Sequence, residues 1–409
     1  MKCLTLLVSL LALGLAGNGA QAGEGAAAAG QYRNLFQEYL GKSESETTAR
    51  LGEAERQLFD GDPDSQRLFY PVAGDMMYVP DIGNNDVRTE GLSYGMMICV
   101  QLDQQRDFNR IWKYAKRHMY HSAGPLRGYF AWHTAFDGHH LSPGPAPDGE
   151  EWFVMDLFFA SHRWGDGEGI LNYSAEAQAL LHTMLHKHEE AGRGEITDMY
   201  DRDAKQVVFV PAPPGARFTD PSYHLPQFTE LWSRWARDPA DQAFLREVTA
   251  ASRQVFHRAA NPRTGLMPDY ANFDGTPFNR FGHSDFRYDA WRTLCYPALD
   301  WSWWAADPWQ VEQSNRVLGF LSSHGDNVPD RYQVDGTPVS SDVNSPGLVA
   351  MAATAALAAD RAHGEPWVRK LWAQPMPSGH GRYYNGLLTM LALLEVGGRF
   401  RIYGPTTAP

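Results

Sequence analysis

The 409-residue sequence predicts an all-α fold, a helical toroid built as one unit. Three observations carry that expectation. About a dozen segments place apolar residues at helical spacing. Almost nothing alternates as a strand would; only VVFV, Val207 to Val210, suggests one, as part of a loop hairpin. The connections are long and rich in Gly, Pro and Asp, yet no linker or composition break divides the chain, which argues against a doubly wound sheet.

In chain order, Ser45 to Phe59 reads as a polar helix. Gly91 to Leu102 continues from Glu90 as a mostly apolar one, and Asp107 to His118 (DFNRIWKYAKRH) carries its Trp and Tyr at helical spacing. Glu150 to Phe159, Ser174 to Glu190, Leu225 to Trp235 and Gln242 to Arg258 follow. Tyr288 to Ala305, Trp309 to Ser323, Pro346 to Arg361 and Tyr384 to Val396 complete the set, with Ser345-Pro346 reading as an N-cap and a first-turn proline. Between them lie LSPGPAPDGEE, RWGDGEG, FVPAPPGARFTDPS and PDYANFDGTPFNRFGHS, loops of a length that tends to carry function.

Residues 1–22 read as a signal peptide, leaving 23–409 as a single domain. Lys2 gives the positive start, Leu4 to Ala16 the apolar stretch, and Ala20-Gln21-Ala22 the small-x-small site cut before Gly23. The run is too short for a spanning helix, and Cys3 lies too early to be a lipid-attachment cysteine. Export to the periplasm or the cell exterior is the expectation. A net charge of −12 with no basic run argues against nucleic acid or anionic membrane as partner. Cys99 and Cys295 sit in apolar helical patterns and are expected free and buried.

Chemistry is expected where helix meets loop. Glu90 (TEGLSYG), Asp148 (APDGEE) and Asp289 (YDAWR) each stand at the mouth of a different helix. Acids favour helix N-termini because they complement the macrodipole, so capping and convergence on one cleft both fit the placement. Other signals read more plainly. His182, His186 and His188 lack the Glu of an HExxH metal motif, and DGEG at 166–169 lacks the ligand pattern of a calcium loop. No metal and no cofactor is expected. Trp152, Trp291, Trp303 and Trp304 are expected in the core.

Four ordered motifs, TEGLSYGMM, APDGEEWFVMDLFFASHRWGDGEG, TDPSYHLPQF and YDAWRT, resemble glycoside hydrolase family 8. The resemblance runs from about Asp60 to Gly398 and is strongest to the reducing-end xylose-releasing exo-oligoxylanases. It implies an (α/α)6 barrel that hydrolyses the β-1,4 linkages of xylo-oligosaccharide substrates with inversion; a monomer is the expectation. By motif it implies Glu90 as general acid, Asp289 as the base that activates water, and Asp148 as a third acid lining the central sugar site. It further implies Tyr223 (DPSYHLP) beside the attacking water and Trp132 (GYFAWH) as a sugar-stacking platform. Arg292, three residues after Asp289, either orients it or forms a structural ion pair. The exo subgroup carries a histidine before a late helix where this chain has Ser345 (SSDVNSPGLVA), so an endo-acting enzyme on xylan, glucan or chitosan is the second reading. A glycan-binding protein on a dead barrel is the third, disfavoured because Glu90 and Asp289 are both present.

The residue types suit that chemistry. Glycoside hydrolysis needs one protonated carboxyl for the leaving oxygen and one ionised carboxylate for water, roughly 6.5–9.5 Å apart for inversion. A helix N-terminus lowers the pKa of Glu90, whereas burial and a nearby Asp148 raise it. The sequence therefore predicts an acid kept protonated by its apolar helix and its neighbour.

Overall fold

The computed structural model describes residues 24–280 and 282–405. The expected signal peptide, residues 1–22 with Cys3, lies outside the described residues. Fourteen helices follow in order among those described: α1 (Ala26–Ala29), α2 (Leu35–Leu40), α3 (Glu44–Asp60), α4 (Thr89–Leu102), α5 (Gln105–His118), α6 (Pro147–Trp164) and α7 (Tyr173–His186). Then come α8 (Pro226–Trp235), α9 (Pro239–Ala259), α10 (Arg292–Trp304), α11 (Trp309–Ser322), α12 (Pro346–Ala355), α13 (Arg361–Ala373) and α14 (Arg382–Val396).

From α3 onward the helices alternate between an outer and an inner ring. The inner, even-numbered helices close on one another: α4 packs on α6, α8 on α10, α10 on α12, α12 on α14, and α14 returns to α4. Trp152 of α6 meets Phe228 of α8 edge to face at 5.0 Å, joining the remaining pair. The result is an (α/α)6 barrel.

The sequence assigns each helix to its ring. TEGLSYGMMICVQL has almost no charge, and α4 buries 12 of its residues, all round the axis. By contrast α5 buries only Phe108, Ile111, Trp112, Tyr114 and Ala115, one face at helical spacing, and turns its charges outward. Trp152, Trp291 and Trp303 are buried as expected, and Trp304 partly so. Cys99 and Cys295 are free and buried. No helix of the described residues is long and apolar enough to cross a membrane.

Two expectations about local structure need correction. Pro346 to Arg361 is not one helix: α12 ends at Ala355, and Asp360 caps a new helix by accepting the His363 N–H. The alanine-rich run masked this reversal because its propensity is helical throughout. Pro366 inside α13 hid that helix as well.

Of the short strands, only the hairpin at Val207 was anticipated, and its strand is Gln206–Val207 and not Val207 to Val210. β1 (Tyr70–Val72) pairs with β2 (Met76–Tyr78), and β7 (Tyr200–Asp201) with β8 (Gln206–Val207). A four-stranded sheet runs in the order β3 (Pro80–Asp81), β4 (Asp86–Arg88), β5 (His133–Thr134) and β6 (His140–Ser142). Strands of two or three residues are too short to show a period of two. This sheet matters to the site. β4 runs straight into α4, and its Arg88↔His133 register sets Trp132 beside Thr89, whose N–H donates to the Trp132 carbonyl at 2.9 Å.

Candidate active site

Glu90 is the second residue of α4, and the glycine after it is required by packing. A Cβ at Gly91 would lie 2.5 Å from the ring of Tyr383. The missing side chain lets the Tyr383 hydroxyl donate to Glu90 Oε1 at 3.0 Å. Asp148 repeats the arrangement on α6. A Cβ at Gly149 would lie 2.4 Å from Thr89 Oγ1, so only glycine lets the first turn of α6 sit on that of α4. Asp148 is thereby brought beside Glu90, with Oδ1 accepting the Gly149 N–H at 2.9 Å.

Asp289 arrives differently. It lies in a 3-10 turn, Tyr288–Trp291, that leads into α10. Tyr288 adopts φ +26°, a conformation disfavoured for a residue with a side chain, and its carbonyl accepts the Tyr384 hydroxyl at 3.1 Å. The turn holds Asp289 at the rim: its side chain is 38% exposed, against 14% for Glu90 and 8% for Asp148. Solvent water reaches Asp289 far more readily than the other two.

One guanidinium ties the three acids together. Arg292 is wholly buried; its Nη1 donates to Glu90 Oε2 at 3.1 Å, Asp148 Oδ2 at 3.1 Å and the Tyr94 hydroxyl at 2.6 Å. Nη2 donates to Ser222 Oγ at 2.8 Å and stands 3.6 Å from Asp289 Oδ1. A single cation cannot balance three carboxylates in so dry a place, and like charges resist joint ionisation. Burial above all, with Asp289 and Asp148 adding to it, pushes Glu90 up to about 8 against the pull of Arg292. Burial likewise raises Asp148 to about 6, again opposed by Arg292. Glu90 is the member that holds its proton at neutral pH.

A cavity of about 370 Å³ opens above these groups. Glu90, Asp148, Asp289, Trp132 and Tyr223 all line it, so five of the six residues singled out in the sequence meet there. The sixth, Arg292, lies beneath as a buried hub. It contacts Asp289 as anticipated, but its shorter bonds go to Glu90 and Asp148. Tyr223 is buried, its ring centre 5.8 Å from the Arg292 guanidinium carbon. Trp132 is half-buried between the His133 ring, stacked at 3.7 Å, and the Arg88 guanidinium at 5.5 Å.

Sequence reasoning missed Tyr383, Tyr384, Asp269 and His283, which also line the cavity. The tyrosines come from the start of α14, where RYYNG follows a glycine-rich turn, a signal for a helix mouth that was available but carried no acid. Asp269 and His283 come from the long loop beginning PDYANF, whose length alone marked it. Of the histidines considered for metal, His186 is bonded at Nδ1 to Glu189 (2.8 Å) and at Nε2 to Asp241 (2.6 Å) on the outer ring. Ser345 stands before α12 with both its N–H and hydroxyl donating to Asp330.

Comparison with known proteins agrees with this geometry. The profile of the glycosyl hydrolases family 8 matches residues 78–398. The chain is 45% identical over 385 residues to the reducing-end xylose-releasing exo-oligoxylanase Rex8A of Paenibacillus barcinonensis, spanning 93% of this chain and 99% of that one. The solved structure of Rex8A with xylose superposes with a TM-score of 0.89 at 43% identity, over 93% of this chain and 100% of the other. A xylohexaose complex of a family 8 xylanase catalytic mutant from Teredinibacter turnerae gives 0.88 at 40% identity, over 93% and 100%.

Proposed function

The chain belongs to glycosyl hydrolase family 8, and on that premise we propose that it hydrolyses β-1,4-linked xylo-oligosaccharides with inversion, releasing xylose from the reducing end. Glu90 is the general acid and Asp289 the general base. Asp148, Trp132, Tyr223 and Arg292 hold the sugar and the acids in place. The observation that carries the reading is the contrast between the two end members of the site: a buried, proton-retaining Glu90 and a solvent-facing Asp289, both within reach of Arg292.

The proton traffic follows from that contrast. Glu90 gives its proton to the glycosidic oxygen as the C–O bond breaks, so the sugar leaves as a neutral alcohol. A water on the opposite face of the ring attacks C1 while Asp289 takes its proton. Asp148, next to the breaking bond, strengthens Glu90's hold on its proton until substrate binds.

Ser345 favours a second reading, endo-acting cleavage. The resemblance puts Ser345 where the exo subgroup carries a histidine, and a serine held on Asp330 by two hydrogen bonds is the smaller side chain at that position. Product analysis on xylohexaose separates the two. Stepwise release of xylose, with xylopentaose as the first co-product, is the expected result; an early mixture of xylobiose, xylotriose and xylotetraose means endo cleavage. We read residues 1–22 as an export signal on the same footing, with Gly23 as the expected first residue of the exported chain, which acts on its sugars as a monomer.

A further inference from the structure

Asp289 has further company of its own sign besides Glu90 and Asp148. One carboxylate oxygen from each of Asp220, Asp269 and Asp289 falls within 4.8 Å of the others. Asp220 and Asp269 are 0% and 2% exposed. Asp220 accepts the Ser222 N–H on Oδ1 at 2.7 Å, and its Oδ2 has no partner. Asp269 bonds through Oδ2 to His283 Nδ1 at 2.5 Å, and its Oδ1 has none. Arg292, the cation under this corner, is already shared among three acids.

Three ionised carboxylates at that spacing, two of them shut off from water, are not sustainable. The group best solvated as an anion is Asp289, at the rim. The two buried acids are the ones that keep protons, and burial together with their acidic neighbours pushes both well up. A protonated carboxyl also resolves the unpartnered oxygens, because an O–H needs an acceptor and a neighbouring carboxylate offers one.

We propose that Asp269 is a positioning residue that stays protonated in the working enzyme and, through the free Oδ1, donates to the Asp289 carboxylate and fixes its aim at the attacking water. His283 donates from Nδ1 to the other oxygen and so decides which one carries the proton. Asp220 is the second neutral acid of the corner. The inference rests on the assignment of Asp289 as base, which Asp289→Ala tests separately.

The test follows from the chemistry of asparagine. Its carbonyl accepts from His283 and its amide donates to Asp289, reproducing the neutral acid. Asp269→Asn is expected to hold kcat on xylotriose within about threefold of the unsubstituted enzyme and to leave the acid limb of kcat/KM in place. Asp269→Leu, which keeps bulk and loses the donor, is expected to lower kcat roughly 10–100-fold with little change in KM, the usual cost of losing a partner that orients a working group. The protonated-carboxyl C=O absorption of the enzyme near pH 6, to which Glu90 and Asp220 also contribute, should lose a component in Asp269→Asn.

Three results would overturn the proposal. Asp269→Asn is as impaired as the leucine variant; its acid limb moves to lower pH by about one unit, the mark of a removed negative charge; or its protonated-carboxyl band is unchanged. Loss of activity in EDTA that calcium restores would overturn it too, since a cation held by the three acids requires all of them ionised. Should the leucine variant fail to fold, the asparagine profile and the infrared band decide. A wild-type enzyme that turns over xylotriose while Asp269→Asn does not sinks this inference and leaves the proposed function standing.

Discussion

Glu90→Ala and Asp289→Ala are each expected to abolish nearly all hydrolysis of xylotriose while the protein stays folded. Positioned acids and bases contribute about 10²–10⁴-fold each, and more for a poor leaving group such as a sugar alkoxide. The two losses should differ in kind. With Glu90 as the proposed acid, the native kcat/KM should fall on an alkaline limb near pH 8, where Glu90 gives up its proton. Substrates with an activated leaving group need less help from an acid and should recover much of the rate in Glu90→Ala. Asp289→Ala should gain nothing from such substrates, because water still lacks its base. Steady-state kinetics on xylotriose and on an aryl xyloside, across pH, checks both; near-native turnover by either variant refutes its assigned role.

Arg292→Met is expected to cost stability as well as activity. Removing one partner of a buried ion pair costs on the order of 3–5 kcal/mol, because the other charge is left without compensation. Here the guanidinium serves Glu90, Asp148 and Asp289 at once, and no other side chain on its helix replaces it. The pH dependence has a definite sign. Glu90 and Asp148 have folded pKa values raised above their unfolded ones, so they support stability at low pH and withdraw it as pH rises through about 6 and then about 8. Without Arg292 that withdrawal is larger. The deficit in melting temperature should be small near pH 5, where both acids are protonated, and should grow toward pH 8. Arg292→Lys should rescue little, since a point ammonium cannot reach acceptors on two sides as a planar fork does. Thermal unfolding at several pH values measures this, and a deficit independent of pH means Arg292 acts only through packing.

Glu90 and Asp148 were legible because each is an acid at the mouth of an apolar helix; the structure adds a steric reason for the glycine that follows each, which the sequence reading did not use. Asp289 was legible in the same way, at the start of a helical segment, but its exposure was not: that depends on a strained turn at Tyr288 that no residue pattern announces. Tyr383 reaches Glu90 across 293 residues of chain, and Asp269 reaches Asp289 from a loop without periodicity. Such contacts are set by ring closure and loop path, which local spacing does not encode. The same limit explains α13 and the short strands, where tertiary context overrode propensity. The inner helices, by contrast, announced their burial through composition alone.

The central claim, that Glu90 protonates the leaving sugar while Asp289 directs water to the far face, is tested most directly by the stereochemistry of the first turnover. Proton NMR during the opening minutes of xylo-oligosaccharide hydrolysis reads which anomer forms before mutarotation mixes them. A β-1,4 substrate should yield the newly formed reducing end as the α-anomer, and a fluoro-sugar designed to trap a covalent intermediate should leave the enzyme unlabelled. Initial β-anomer would contradict the account: it requires Asp289 to attack the sugar itself, from about 5–5.5 Å across the bond from Glu90 as in retaining enzymes.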